Sequence, residues 1–224
     1  MADNKRIFIT GEQPLVDEYS SACVAAGYRL VATPSKTTAL ALELTNTASK
    51  EKNLRRLDSV LPKAAPILSS SVTIPVAEQG TWLKHPERLI GIGAFPTLLQ
   101  GTVLEIAVGP RTDDATRTAA TEFAATLGKD VAAVSDTVGL VMPRILCMLI
   151  NEAFFAMGER VADGSDIDSA MKLGTNYPRG PVEWATAIGV HHVHAVIAAL
   201  QAYYGEDRYR AAPLLRSAST TATR

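Results

Sequence analysis

The chain has 224 residues, 47% of them apolar and 20% charged, with a formal net charge of -1. That length buries a sizeable core in one large domain or two small ones, and the near-neutral charge argues against a nucleic-acid-binding face or a polybasic membrane anchor. The polar start Met1–Arg6 carries no export signature, no apolar run approaches the roughly 20 residues that cross a bilayer, and Cys23 and Cys147 sit in apolar surroundings away from any CxxC pattern, so a cytoplasmic protein with reduced thiols is expected.

Arg6 to Thr10 reads as a short apolar strand that ends at the turn residue Gly11. Leu15, Tyr19, Ala22, Cys23 and Ala26 then recur at helical spacing until Gly27, and Tyr28 to Ala32 supplies a second strand. This opening predicts a parallel βαβ unit with a right-handed crossover. Leu40 to Leu44 reads as the next strand and Ser49 to Leu61 as a charged amphipathic helix stopped by Pro62. Ile67-Leu68, Arg88 to Ala94 and Val103 to Val108 are strand-like runs bounded by turn residues. Thr112 to Leu127 is a helix with Asp113 and Asp114 in its first turn, where carboxylates meet the positive end of the dipole. Val131 to Val134 is the last strand.

After Asp136 the alternation stops. Val138 to Val161 is one long apolar segment, a shorter helix opens at Asp166 and Asp168, and Pro181 starts another through Ile188. Residues 190–204 read as the final helix, followed by a Ser/Thr/Ala-rich tail. Strands alternating with helices, then helices alone, predict an α/β domain over 1–135 with a mainly parallel sheet, an all-α domain over 136–216 and a frayed tail over 217–224.

The second half carries the specific signal. Asn151-Glu152-Ala153, Asp166-Ile167-Asp168, the run Gly174-Thr175-Asn176-Tyr177-Pro178-Arg179-Gly180-Pro181 and Arg208-Tyr209 follow one another in an order and spacing that resemble the helical C-terminal domain of the 3-hydroxyacyl-CoA dehydrogenases. The resemblance implies a shortened Rossmann-like first domain and an all-α second domain that forms a dimer, with a second copy or with a full-length relative. A long apolar helix with few charges independently calls for a face buried against a partner. Asn151, Tyr177 and Pro181 read as architectural rather than chemical.

In that family the first domain holds NAD, and its first turn needs GxGxxG so that backbone amides can approach the pyrophosphate. This chain reads Gly11-Glu12-Gln13-Pro14-Leu15-Val16. Only Gly11 remains as a cofactor-loop residue; Glu12 brings a negative charge and Pro14 removes an N–H. The acidic residue expected at the end of the second strand is missing around Thr33, and the short step from Thr33 to Leu40 omits an edge strand and helices that the family places there. Lys50 either matches a lysine that touches the cofactor or is a plain surface lysine.

The family's histidine base follows an R-x-I-G stretch and takes the hydroxyl proton during hydride transfer. Here Arg88-Leu89-Ile90-Gly91-Ile92-Gly93 puts Gly93 at that position, while Glu105 matches the carboxylate that orients the histidine and Ser71 the substrate-side serine. Pro143 replaces the asparagine ahead of Arg144. His85 lies too early to stand in. His191, His192 and His194 read as a solvated helix start, and no metal set is legible. The expectation is a dehydrogenase-like protein with lost or very weak NAD-dependent activity, acting as a dimeric binding or partner protein toward an acyl-CoA. The alternative is an active oxidoreductase that uses Glu105 as base in a cleft of Ile92, Phe95 and Val103, and a third reading is a purely structural subunit.

Overall fold

Continuous burial in the central strands marks a sheet covered on both faces. In β1 (Arg6–Gly11), Ile7 and Phe8 point into different cores, and all five residues of β3 (Leu40–Leu44) are buried, as expected of a strand sandwiched between helix layers. The computed structural model describes residues 5–46 and 49–221. Its strands also include β2 (Arg29–Leu30), β4 (Ile67–Ser70), β5 (Leu89–Ile92), β6 (Val103–Ala107) and β7 (Asp130–Val134). They form one sheet in the order β2-β1-β3-β4-β5-β6-β7, parallel at every pair except β5 with β6.

One face packs beneath α1 (Leu15–Ala25) and α4 (Asp114–Thr126), with Leu15, Tyr19, Cys23, Phe123 and Ala124 in its core. The other face lies under α2 (Lys50–Val60) and α3 (Val76–Gln79), through Leu54, Leu57 and Val76. Burial pushes the Cys23 thiol up to about 12, which suits a core hydrophobe rather than a reactive group. Arg88 and Asp58 form a buried ion pair at 2.8 Å, and Arg88 also donates to the Asp58 carbonyl at 2.6 Å, tying the end of α2 to the start of β5.

The second strand is shorter than its pattern predicts. Residues Arg29 and Leu30 are exposed, and among the described residues no strand pairs on their outer side. With no outer neighbour to continue the ladder, Tyr28 and Ala32 fall outside the strand. The expected strand at 88–94 is likewise trimmed, because Pro86–Arg88 is a 3-10 turn.

The chain divides between Leu140 and Val141 into two compact units, a few residues past the step expected at 135/136. The second unit is α5 (Met142–Gly158), α6 (Gly164–Thr175), α7 (Pro181–Ile188), α8 (Val190–Tyr204) and α9 (Pro213–Thr221). The long helix starts at Met142 rather than Val138, because Gly139 and Leu140 adopt φ of 84° and 48°. The expected frayed tail is corrected for 217–221: those residues continue α9, which buries Leu215 and Ser219 as helix faces do. Residues 222–224 lie outside the described part. The histidine cluster is corrected too, since His192 is buried rather than solvated, its ring centroid 4.0 Å from that of His191. No single helix among the described residues is long and apolar enough to cross a membrane, and the apolar pair α7 and α8 bends by 100°.

Candidate functional site

The strand order reverses between β1 and β3, and open α/β sheets bind ligands in the crevice outside the strand ends at such a switch point. Gly11 and Leu44 end the two strands in register. Gly11 has φ of 150°, and a Cβ there would meet the Leu44 backbone carbon at 2.6 Å, so the glycine is required by its own neighbouring strand. In the following loop the Glu12 N–H points to the Leu44 carbonyl at 3.5 Å, Pro14 has no N–H, and the Val16 N–H donates to the Glu12 carbonyl at 3.1 Å. Three of the amide positions that a phosphate loop would present are therefore already used or missing.

Beside this loop lies a polar cluster that the sequence reading missed. Lys50 is fully buried, which corrects its reading as a surface lysine. Its Nζ donates to Glu43 Oε2 at 2.5 Å and to Ser69 Oγ at 3.0 Å. Asn53 Nδ2 donates to Glu43 Oε1 at 3.2 Å and to Thr45 Oγ1 at 3.0 Å. Burial lowers the Lys50 pKa, while the Glu43 carboxylate, aided by Glu12, opposes that shift. A carboxylate in the otherwise apolar run Leu40-Ala41-Leu42-Glu43-Leu44 is the signal that could have announced this pair, since a charge in a doubly covered strand needs a partner.

The catalytic candidates sit farther along, at the ends of β4 and β5. Ser70 Oγ donates to Asn46 Oδ1 at 2.8 Å and lies 3.1 Å from the Ala94 carbonyl. Ser71 turns to the other face, onto Gly91, where its fully buried hydroxyl has no hydrogen-bond partner among the described residues; nor has the buried amide nitrogen of Asn46. On that same face, two residues along β5, Gly93 lies under Glu105. A Cβ at Gly93 would meet Glu105 Cβ at 3.0 Å and Oε2 at 3.4 Å, with Leu140 Cδ1 at 3.5 Å. The structure thus brings Ser71 and Glu105 to one face of the sheet, while Gly11 and Lys50 belong to the crevice at β1 and β3.

The segment 136–140 closes over this face. Asp136 accepts from the Val76 and Ala77 amides at 2.7 and 2.8 Å, and Gly139 donates to the Val72 carbonyl at 2.7 Å. Of the apolar cleft expected around Glu105, Ile92 and Phe95 are buried but Val103 is half exposed, because it precedes the covered part of β6. His85 precedes β5 and pairs with Glu87 at 3.4 Å, whereas Gly93 follows it. They lie at opposite ends of a four-residue strand, roughly 13 Å apart or more. At that separation His85 does not reach the Gly93 position. Among the described residues no group of three or more His, Cys, Asp or Glu could hold a metal ion.

A mainly parallel, switch-point α/β unit followed by an all-helical unit defines a two-unit architecture with a Rossmann-like first domain. The comparisons narrow that architecture to one family. Residues 41–137 match the 3-hydroxyacyl-CoA dehydrogenase NAD binding domain, and residues 139–222 match the 3-hydroxyacyl-CoA dehydrogenase C-terminal domain. The chain belongs to the 3-hydroxyacyl-CoA dehydrogenase family. The 3-hydroxybutyryl-CoA dehydrogenase of Bradyrhizobium diazoefficiens is 36% identical over 74% of this chain and 57% of the relative. That of Clostridioides difficile is 30% identical over 74% and 59%. The crystal structure of (S)-3-hydroxybutyryl-CoA dehydrogenase from Ralstonia eutropha superposes with a TM-score of 0.82 at 25% identity, covering 97% of this chain and 94% of that one. The matches span 57 to 62% of the length of three curated 3-hydroxybutyryl-CoA dehydrogenases, two of them described as probable, and the first-domain match begins only at residue 41, beyond Gly11 and the phosphate-loop position.

Proposed function

We propose that this member of the family has lost ordinary NAD-dependent hydride transfer, or keeps very little of it, and acts as a dimeric acyl-CoA-binding or partner protein. The observation that carries the reading is Gly93. The position that needs an imidazole offers only a hydrogen atom, and the Glu105 side chain stands within contact of the space a side chain would enter. Losing a general base costs roughly 10²- to 10⁴-fold. The used-up amides around Glu12 and Pro14 argue separately against a pyrophosphate, so no catalytic step is assigned through NAD.

Support for the dimer comes from α5, where Met142 and Ile145 are exposed on one side, with Val141 just ahead of them. Apolar side chains so placed favour a covered face over a solvated one. Sedimentation of the purified protein is expected to report a dimer that Ile145→Glu disperses.

The reading is tested by following NADH with acetoacetyl-CoA, together with thermal shift against NAD, NADH and the CoA ester. The expected result is no NADH consumption, no shift with NAD at millimolar concentration, and stabilisation by the CoA ester; ligand at 100 times its Kd adds about 2.7 kcal/mol. Turnover that Glu105→Gln abolishes would reverse the reading in favour of Glu105 as base, a role supported by its burial against Gly93. No shift with any ligand would favour a purely structural subunit.

A further inference from the structure

The helical unit contains a cavity of about 480 Å³, open to solvent, between the C-terminal half of α5 and the start of α9. Its floor is apolar, formed by Phe154, Phe155 and Leu214, and its rim carries Arg210, Arg216 and Glu159. The Arg210 guanidinium lies 5.4 Å from the centroid of the Phe155 ring, an arrangement that holds a cation over an apolar wall. Among the described residues neither guanidinium has a carboxylate partner, although Glu159 lines the same cavity. Elsewhere in the chain arginines do find acids, as Arg88 does with Asp58 and Arg208 with Glu206.

An apolar floor with a few convergent polar groups is the usual composition of a small-molecule site, and the volume falls within the usual range of roughly 300 to 1,000 Å³. Unpaired guanidiniums are suited to carboxylate or phosphate. Two guanidiniums against one carboxylate leave a single net positive charge at the rim, which matches a monoanion better than a dianion. We propose that this cavity binds an aliphatic monocarboxylate of medium chain length, its carboxylate between Arg210 and Arg216 and its chain on Phe154, Phe155 and Leu214. The site lies wholly within the helical unit and does not depend on the loss of hydride transfer proposed above.

A reporter stands nearby. Burial, with the charge of Arg216 adding to it, lowers the His194 pKa. A carboxylate bound at Arg216 offsets that charge, so occupancy raises the His194 pKa. Calorimetry of the full chain with decanoate, decan-1-ol and inorganic phosphate tests the proposal. Saturable decanoate binding is expected, with the alcohol and phosphate weaker by about tenfold or more. The double variant Arg210→Gln/Arg216→Gln is expected to weaken decanoate by a similar factor with an unchanged melting temperature, because both side chains are exposed. NMR titration is expected to show the His194 pKa rising with decanoate and not with the alcohol. The proposal is overturned if decanoate fails to saturate, if the alcohol or phosphate binds as well, or if the double variant binds decanoate unchanged.

Discussion

In the helical unit, the residues that carry the family likeness are used by the fold itself. Asn151 donates to the Arg210 carbonyl at 3.0 Å and accepts from the Ala212 amide at 2.8 Å, stapling α5 to the stretch before α9. Asp168 accepts from the amides of Val182 and Glu183 at 2.8 and 3.0 Å, so a side chain of α6 caps α7. Glu183 reaches back to the Gly180 amide at 3.1 Å and pairs with Lys172. In the α/β unit, by contrast, the residues read as departures from the family pattern, Glu12, Pro14 and Gly93, stand at the strand ends and against Glu105. Buried pairs such as Glu43 with Lys50 remain complete around them. The family-like residues of the helical unit answer to the fold, and likeness to a family does not by itself carry its chemistry.

The largest effect expected is at Lys50. If its role is to neutralise Glu43, Lys50→Met leaves a buried carboxylate and costs about 3–5 kcal/mol, while Lys50→Met/Glu43→Leu recovers most of that loss. Urea unfolding of both variants checks this. A stable single variant with altered ligand binding would mean that the lysine serves the crevice rather than the fold.

Next comes Asn151→Ala, which removes two hydrogen bonds and leaves the Ala212 amide buried without a partner. A loss of about 2–3 kcal/mol is expected, with no change in the response to NAD or the CoA ester. A changed response to NAD or the CoA ester at unchanged stability would break the contrast between family-like residues used by the fold and residues that face the crevice.

Gly93→His restores an imidazole beside Glu105, but Glu105 must move to admit it. The expected cost is about 1–2 kcal/mol, and NADH oxidation stays absent because the phosphate loop is unchanged. Turnover appearing in this single variant would show that the loop around Glu12 admits NAD after all.

The smallest effect concerns Glu18, whose carboxylate accepts from the Thr97 amide at 3.1 and 3.2 Å. Burial raises its pKa, and the Thr97 amide only partly opposes this. A raised folded-state pKa means that the folded protein binds more protons in the window just above the ordinary value of 4.5. Stability from this group therefore falls as pH rises through that window and stays low at neutrality. Glu18→Gln is expected to gain under about 1 kcal/mol at pH 7, after screening by solvent, and to gain less at pH 4. Melting temperatures at the two pH values measure it.

Much of the element order was legible because period-2 and period-3.6 patterns report burial directly. The strands at 40–44 and 103–107 and the helices at 50–60 and 114–126 lie within the runs that predicted them. The errors cluster where pairing rather than pattern decides: the second strand lacks an outer neighbour, and α9 is helical because it packs. At the site, the reading of Gly93 at the histidine position and of an altered phosphate loop came from spacing alone. The burial of Lys50 was not, because its local sequence, Ser49-Lys50-Glu51-Lys52, is that of a solvated helix start.

Local sequence by itself determined the family, the division into an α/β half and a helical half, and the absence of an imidazole at Gly93. These follow from residue identity, order and spacing along the chain. Tertiary structure alone decided that Lys50 answers Glu43, that Ser71 and Glu105 share a face, and that Arg210 and Arg216 meet at one cavity. Each of these joins residues well apart in the chain or on different elements, and no local pattern encodes which side chains a folded backbone brings within a few ångströms of each other.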